Sequence, residues 1–347
     1  RIVLMHKMGK LSDAEAIDGL DRLRFAWRGD DFEYKLLRTL AELDLKAKRY
    51  GDGLRVLKQM AGYFRQSPGA NDVTELMRST FRELYLNNRA DDMPPVRAIA
   101  LFDEFRELPP PGPEGDEMIR KLADRLVGVD LLDQAAQLLD HQVQSRLQGV
   151  DKGRVGARLA LVQLLNQQPA LALAALKNSD VGGLPADLAR QRELLRARAL
   201  ADLGQADAGL KLLAAENGDD ANLLKAEIQW RKQDWGGAAE ALSRTIHVPD
   251  NNGTQMSPAM RQRVLQWVTA LRLSDQRRDI AQVRRDFLPY MNATPEFDAF
   301  NLLTNRTAAG LIDMASVEEQ IKQAENFRSF LGEYKTRMQQ SGLSAIN

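Results

Sequence analysis

Apolar residues recur at helical spacing along most of the chain, most clearly over residues 190–248. This stretch reads as two successive helix pairs, each with a tight polar turn between its helices. In the second helix of each pair a small residue, Gly209 or Ala238, stands four positions before a leucine, Leu213 or Leu242. Four residues make about one helical turn, so the small and the large residue share a face. The pattern predicts hairpins whose helices approach closely at the small residue.

The same pair of a small and a large residue recurs upstream. It is found as Ala16 with Leu20, Gly53 with Leu57, Ala98 with Phe102, Ala135 with Leu139 and Ala172 with Leu176. Four of the intervals between successive small residues are 37 residues long, the interval that ends at Ala98 is 45, and the last is 29. Equal intervals in one helical frame indicate an internal repeat.

A helix-turn-helix unit of about this length, with a small residue in its second helix, resembles the tetratricopeptide (TPR) family. The residues that carry the resemblance are Leu40, Ala41, Tyr50, Gly53, Leu57, Met60 and Pro68, then Leu122, Ala123, Ala135 and Leu139, and Trp235 in the place of Tyr50. The repeat is longer than the family's usual ~34 residues, and Arg196 and Lys225 stand where the family prefers leucine. The resemblance covers about residues 10–249 and implies stacked antiparallel hairpins with a concave, partner-binding surface.

Helical spacing continues through the rest of the chain, and no stretch shows the alternation of a β-strand. We expect helices at 12–28, 32–48, 51–64, 71–88, 95–108, 118–127, 131–147, 154–166, 169–177, 258–273, 277–288, 296–304 and 316–339. The proline-rich run 109–115 predicts a break without helix potential, and 248–258 a second break. Pro169 is expected in a hairpin turn.

These patterns predict an all-α protein. Residues 1–249 are expected to form a TPR-like α-solenoid of about six to seven units, the first one truncated, and residues 250–347 a non-repeating helical segment. The predicted helix 316–339 begins with a capping box and carries one apolar seam. We expect it to cap the open end of the solenoid; the alternative is binding to a partner or to a second copy of the chain.

The composition of the chain mainly excludes classes of function. Lys plus Arg and Asp plus Glu both number 48, so no net charge draws the chain to nucleic acid or membranes. There is no cysteine, and the three histidines, His6, His141 and His247, are far apart in sequence. We therefore predict no enzymatic activity, no cofactor and no metal site. No apolar run approaches the ~20 residues that a membrane-spanning helix needs.

The chain starts in helix-like sequence without a methionine, so we expect a longer protein in which a leader, an anchor or further repeats precede Arg1. The lack of cysteine slightly favours an extracytoplasmic, periplasmic location over the cytoplasm. A place in a bacterial cell-envelope assembly fits that preference.

The predicted function is a scaffold or adaptor that binds a peptide or protein on the concave surface of the solenoid. The first helices of the hairpins line that surface in the TPR frame, which gives as partner-binding candidates Arg38, Glu42, Lys46, Asp124, Arg198, Asp202, Glu227, Trp230 and Arg231. For Trp230, simple packing between repeats is an equal alternative.

Two other functions stay open. The chain is either a regulatory or substrate-guiding module of an enzyme whose catalytic part lies outside it, or a nucleic-acid binder. The second would use the arginines between positions 261 and 285, which are Arg261, Arg263, Arg272, Arg277, Arg278, Arg284 and Arg285. Apolar residues alternate with these arginines, so a solvated helix face is the expected role.

Overall fold

The computed structural model of the chain describes residues 1–24, 31–66, 68–248, 256–305 and 332. Its helices are α1 Ile2–Lys7, α2 Asp13–Leu23, α3 Asp31–Lys46, α4 Tyr50–Tyr63, α5 Ala70–Tyr85, the 3-10 helix Arg89–Asp92, α6 Pro95–Glu104, α7 Pro113–Gly128, α8 Leu132–Ser145, α9 Gly149–Leu165, α10 Pro169–Asn178, α11 Ala186–Asp202, α12 Ala206–Leu212, α13 Asp219–Arg231, α14 Trp235–Ser243, α15 Pro258–Leu273, α16 Arg277–Met291 and α17 Phe297–Thr304. Within the described ranges no residue lies in a β-strand, which confirms the all-α class. Stacking of the helices into a solenoid stays a prediction.

The helices form two compact units, residues 1–129 and 130–347. In the first, consecutive helices pack from α1 to α5, and α7 packs on α5 and α6. In the second, consecutive helices pack from α8 to α17, and α11 also contacts both α9 and α13. The predicted division at 249/250 rests on where the repeat ends rather than on compactness, and it stays a prediction.

A three-residue turn joins the two helices of most hairpins, and its middle residue has a positive φ. These middle residues are Lys48, Gln167, Gly204, Gln233 and Asp275, and Asp130 holds the same conformation between α7 and α8. In each of the five hairpins the next N–H reaches back to a carbonyl of the first helix, as from Arg49 to Asp44 at 2.8 Å and from Gln205 to Leu200 at 2.9 Å. This left-handed closure satisfies carbonyls that a helix end otherwise leaves unpaired.

The turn places the small residue of the repeat at a constant position. In every even-numbered helix from α2 to α14 it lies four positions after the N-cap residue, and the large residue lies four positions further on. All of these small and large residues are buried, as the repeat predicts. At Gly209 a Cβ atom would stand 2.7 Å from the Ala197 carbonyl oxygen of the preceding helix. The small residue is therefore where a hairpin's two backbones come closest.

One hairpin adds a cluster of aromatic rings to the small residue. Phe81 and Tyr85 of α5 pack against Phe102 of α6, with ring centroids 5.5 and 5.1 Å away, and the Tyr85 hydroxyl donates to the Ala98 carbonyl at 2.7 Å. The 3-10 helix Arg89–Asp92 lies in the connection, and its four residues account for half of the extra length in the 45-residue interval.

Several predicted helix boundaries are wrong, and one of them involves proline. Helix α7 begins inside the run 109–115, at Pro113. Helix α10 begins at Pro169, the start of the predicted helix 169–177, so the expectation that Pro169 lies in the hairpin turn is wrong. Proline suits the first helical position because the N–H it lacks has no helical partner there. Residues 25–28 of the predicted helix 12–28, and all of the predicted helix 316–339 except residue 332, lie outside the described residues.

A buried cation fastens three helices of the second unit. Arg192 of α11 is 2% exposed and donates to the Gly153 carbonyl of α9 at 2.7 Å, the Leu176 carbonyl of α10 at 2.6 Å and the Ser179 hydroxyl at 3.0 Å. Burial lowers the pKa of its guanidinium below the usual value. The hydrogen bonds to carbonyl groups offset part of the cost of burying the charge.

The hairpin turn continues into α15 and α16, beyond the predicted end of the repeat, although the small residue does not. Four positions after the α16 N-cap stands Ile280, which is buried with Val268, Leu271 and Phe287 in one apolar cluster. Loss of the small residue agrees with the end of the repeat in the sequence. The turn itself could not be recognised from residue types, because only one of its positive-φ residues is glycine.

We predict that Gly209→Ala lowers the free energy of unfolding by about 1–3 kcal/mol, because the new methyl group overlaps the Ala197 carbonyl. The matched control is Gly236→Ala in α14, where the added Cβ meets only ordinary contacts. It should leave stability unchanged or raise it by up to about 1 kcal/mol. Urea unfolding followed by circular dichroism measures both. Equal effects of the two substitutions would contradict close helix approach at Gly209.

Candidate functional site

Four of the predicted partner-binding residues form a closed ring of ion pairs between α11 and α13, which we call the four-residue network. Arg198 contacts Asp202 and Glu227, both at 2.8 Å, and Arg231 contacts Asp202 at 2.7 Å and Glu227 at 2.9 Å. Each cation thus holds both anions. The ring is electrically neutral, and the side chains of Arg198 and Glu227 are only 6% exposed.

This arrangement gives the network a structural role. Buried charges are stable only when paired, and here each partner lies on the same helix or on the next odd-numbered helix. Trp230, next to Arg231 in sequence, is 7% exposed and packs edge-on against Trp235 with ring centroids 5.2 Å apart. The structure therefore places Trp230 in the core, as the packing alternative predicts. Arg231, half exposed, is the member of this group that a partner reaches most easily.

The other candidates lie in the first unit, on α3 and α7. Arg38 pairs with Glu42 one turn away on α3 at 2.7 Å, and Lys46 lies 3.3 Å from Asp13 of α2. Asp124 is half-buried on α7. Contact of these residues with a partner stays a prediction.

The arginines between 261 and 285 are divided between α15 and α16, and several are engaged within the protein. Arg261 pairs with Glu296 at 2.7 Å and donates to the Met256 carbonyl at 2.7 Å. Arg284 donates to the Thr304 hydroxyl at 2.6 Å, and Arg277 pairs with Asp275 at 2.8 Å. These bonds reduce the positive charge available to a phosphate backbone, and nucleic-acid binding stays an untested alternative.

Three surface grooves lie between successive even-numbered helices, where no partner residue was predicted. The charged groove, of about 420 Å³, is lined from α4 and α6 and the turns before them by Lys48, Arg49, Tyr50, Gly51, Asp52, Arg55, Met93, Arg97, Ala100, Leu101 and Glu104. The tryptophan groove, of about 550 Å³, is lined from α14, α15 and α16 by Gly236, Ala239, Glu240, Ser243, Trp267, Leu271, Gln276, Asp279, Gln282 and Val283.

The third is the amide groove, of about 470 Å³, between α8 and α10 with α9 as its base. It is lined by Asp133, Ala136, Gln137, Asp140, Gln144, Leu159, Gln163, Asn166, Gln168, Leu171, Ala174, Ala175 and Asn178. Six of these side chains are primary amides, and none is basic. The one available sequence signal was the row of polar residues at helical spacing along α8, from Asp133 to Gln144.

The grooves differ in how far the protein itself occupies their polar groups. In the charged groove Arg55 of α4 makes a two-point ion pair with Glu104 of α6, at 2.7 and 2.8 Å, which ties the two walls together. In the tryptophan groove Glu240 and Gln282 bond along their own helices, to Arg244 at 2.6 Å and to Asp286 at 2.8 Å. The amide groove keeps more polar groups available for a ligand.

Asp44 of α3 pairs with Arg49, which lines the charged groove, and is 2% exposed. Burial raises the pKa of its carboxyl group to about 6; Arg49 opposes that change, while Asp52 and Asp21 add to it. Arg49 Nε stands 3.2 Å from Asp44 Oδ1, yet this oxygen accepts no hydrogen bond from the described residues. One ion pair at this geometry does not offset the desolvation of the carboxylate.

Within the described ranges no three His, Asp or Glu side chains converge as metal ligands. His6 hydrogen-bonds to Asp13 at 2.6 Å, and His141 lies 3.5 Å from the Ser145 hydroxyl. In the same part of the chain no helix combines the length and hydropathy needed to span a membrane.

Comparison with known proteins yields no match, either to a protein-family model or to a curated protein. The resemblance to TPR repeats therefore stays a prediction from the residues that carry it.

We predict that Arg198→Ala lowers the free energy of unfolding by about 3 kcal/mol, because it removes one of the two cations from the buried Glu227. Arg190→Ala on the same helix is the control. Its pairs with Asp187 and Glu216 are more exposed, so it should cost less than about 1 kcal/mol. Urea unfolding compares the two. A small loss for Arg198→Ala would show that the network does not stabilise the fold.

We predict that Asp44→Asn raises the free energy of unfolding at pH 7.5 by about 1–3 kcal/mol. The pKa of Asp44 is higher in the folded chain, so the folded state binds more protons than the unfolded state between about pH 4 and 6. The destabilising contribution of the carboxyl group therefore builds up between about pH 4 and 6, is complete above pH 6 and is small near pH 4.

Urea unfolding of wild type and variant at about pH 4 and at pH 7.5 measures this difference. The control is Asp103→Asn, an exposed carboxyl group on α6, which should change stability by less than about 0.5 kcal/mol at both pH values. If Asp44→Asn has the same effect at both pH values, folding does not shift the titration of Asp44.

Proposed function

We propose that the chain is a helical-repeat binding module that holds a peptide or protein partner as a scaffold or adaptor in a larger assembly. The observation that supports this proposal is that the buried residues repeat from hairpin to hairpin while the residues that line the surface grooves differ. The buried small and large residues keep one register from α2 to α14. The grooves between the even-numbered helices differ, with ion pairs in one, amides in the second and an aromatic floor in the third.

A repeated interior with varied exposed side chains suits binding more than catalysis. The interior fixes the positions of the helices, and the surface is then free to carry residues that match a particular partner. The predicted resemblance to TPR repeats points the same way, because such arrays present extended binding surfaces.

In each unit the odd-numbered helices offer a surface for a partner. In the second unit the four-residue network supports that surface as a neutral platform, with Arg231 at its exposed edge. In the first unit Arg38, Glu42 and Lys46 on α3 carry mixed charge. Mixed charge fits a partner with side chains of both signs. The cell envelope remains the proposed location.

The experiment that tests the proposal is site-specific photo-crosslinking in lysate of the source organism, fractionated into envelope and cytosol. The photoreactive residue p-benzoylphenylalanine replaces Glu42, Arg231 or Gln137, which are all exposed, or the exposed Lys211 of α12 as a control outside the three grooves. These substitutions keep the buried Arg198 and Trp230 in place.

We expect one partner protein to crosslink from at least one of the three test positions, to be absent at Lys211, and to be displaced by excess unlabelled wild-type protein. Crosslinks that resist displacement, or none at any of the three positions in either fraction, would overturn the binding-module proposal. The fraction that contains the crosslink also tests the envelope location.

A further inference from the structure

The amide groove is walled by two polar rows on the even-numbered helices. On α8 the row is Asp133, Gln137, Asp140 and Gln144, at steps of four, three and four residues, so these side chains share one face. Gln168, Leu171 and Asn178 stand on the α10 side. The buried Ala136, Leu159 and Ala175 form a floor without polar side chains.

Four amide side chains in this groove have no hydrogen-bond partner among the described residues. They are Gln137, Gln163, Gln168 and Asn178, contributed by all three helices around the groove or by their turns. A primary amide carries both donors and an acceptor, as a peptide group does. A set of such groups on facing walls therefore matches the backbone of an extended polypeptide, whose N–H and C=O groups are unpaired. A helical partner would not use them, because its backbone groups are already paired.

The charge of the groove restricts the partner further. Asp133 accepts a hydrogen bond from the Asn166 amide and Asp140 accepts one from the Gln144 amide, both at 2.6 Å. These bonds orient the two carboxylates and leave each with further lone pairs for a ligand. Because no Lys, Arg or His lines the groove, the complementary ligand is positively charged.

We propose that the amide groove binds an extended, basic polypeptide segment, with the amides holding its backbone and Asp133 and Asp140 its Lys or Arg side chains. The α8 wall is about 16 Å long, which matches about five residues of extended chain. Leu171, 51% exposed at the rim, gives an apolar contact for one side chain of the segment. This inference rests on the proposed function, for which it names the partner's chemistry and conformation.

The test uses fluorescence anisotropy of the full chain with three fluorescein-labelled probes of about seven residues, long enough to pass the ends of the groove. One alternates alanine and lysine, the second alternates alanine and glutamate, and the third repeats the first with N-methylated backbone amides. The protein variants are Gln163→Ala, Asp140→Asn and the charge-matched control Asp187→Asn, whose carboxylate is exposed on α11.

We expect the alanine–lysine probe to bind at moderate salt and the alanine–glutamate probe not to bind. Gln163→Ala and Asp140→Asn should each weaken binding by about fivefold, the loss expected for one hydrogen bond or one ion pair, while Asp187→Asn leaves binding unchanged. N-methylation of the probe should weaken binding by at least as much, because it removes the backbone N–H groups that would donate hydrogen bonds to the amide oxygens of the groove.

Two results would overturn the inference: no preference for the alanine–lysine probe, or equal binding by wild type, Gln163→Ala and Asp140→Asn. If binding tolerates N-methylation, charge alone holds the segment and the backbone-reading role of the amides is wrong. None of these results depends on the photo-crosslinking experiment. A partner captured from Glu42 or Arg231 would still support a binding module whose amide groove is unused.

Discussion

The close approach of two backbones at one small residue is the constraint on which the hairpins of this protein depend. The left-handed turn fixes where the second helix starts, and the residue four positions after its N-cap then faces the first helix. At Gly209 the space left there is too small for a Cβ. A small residue is thus required by the geometry of the turn, and the large residue one helical turn later fills the wider space beside it. Repetition of this unit produces the interval of 37 residues.

The constraint also explains where the pattern ends. Helix α16 follows the same kind of turn as α4 and α10, but Ile280 takes the place of the small residue and joins a cluster with Phe287. Bulky side chains then fill the space between α15 and α16, as the aromatic rings do between α5 and α6. Bulky side chains accompany the small residue Ala98 between α5 and α6 and replace it between α15 and α16, but only the small residue leaves a mark in the sequence that repeats.

The helices and their buried faces could be predicted from sequence because both depend on local spacing. The boundary at Pro113 could not, since proline reads as a helix breaker unless the start of the helix is already known. The candidate site was less accessible to sequence. The TPR-like repeat pattern placed Arg198 and Glu227 on odd-numbered helices. It could not show that they pair with each other, because Arg198 lies on α11 and Glu227 on α13. The amide groove was missed for the same reason, since its lining comes from three helices and their turns.

The division of polar residues in the second unit follows from what each side chain can reach. Arginine has a long side chain and a fork of donors, so Arg192 and Arg198 span the distance between helices and bind carbonyls or carboxylates there. Such bonds place cations between helices. The shorter side chains of Gln137 and Asp140 remain along the groove between even-numbered helices. A chain with equal numbers of acidic and basic residues can therefore still present a groove whose polar side chains are all acids and amides. Arg192 and Arg198 are thus engaged between helices, whereas the groups left for a ligand in the amide groove are amides and carboxylates.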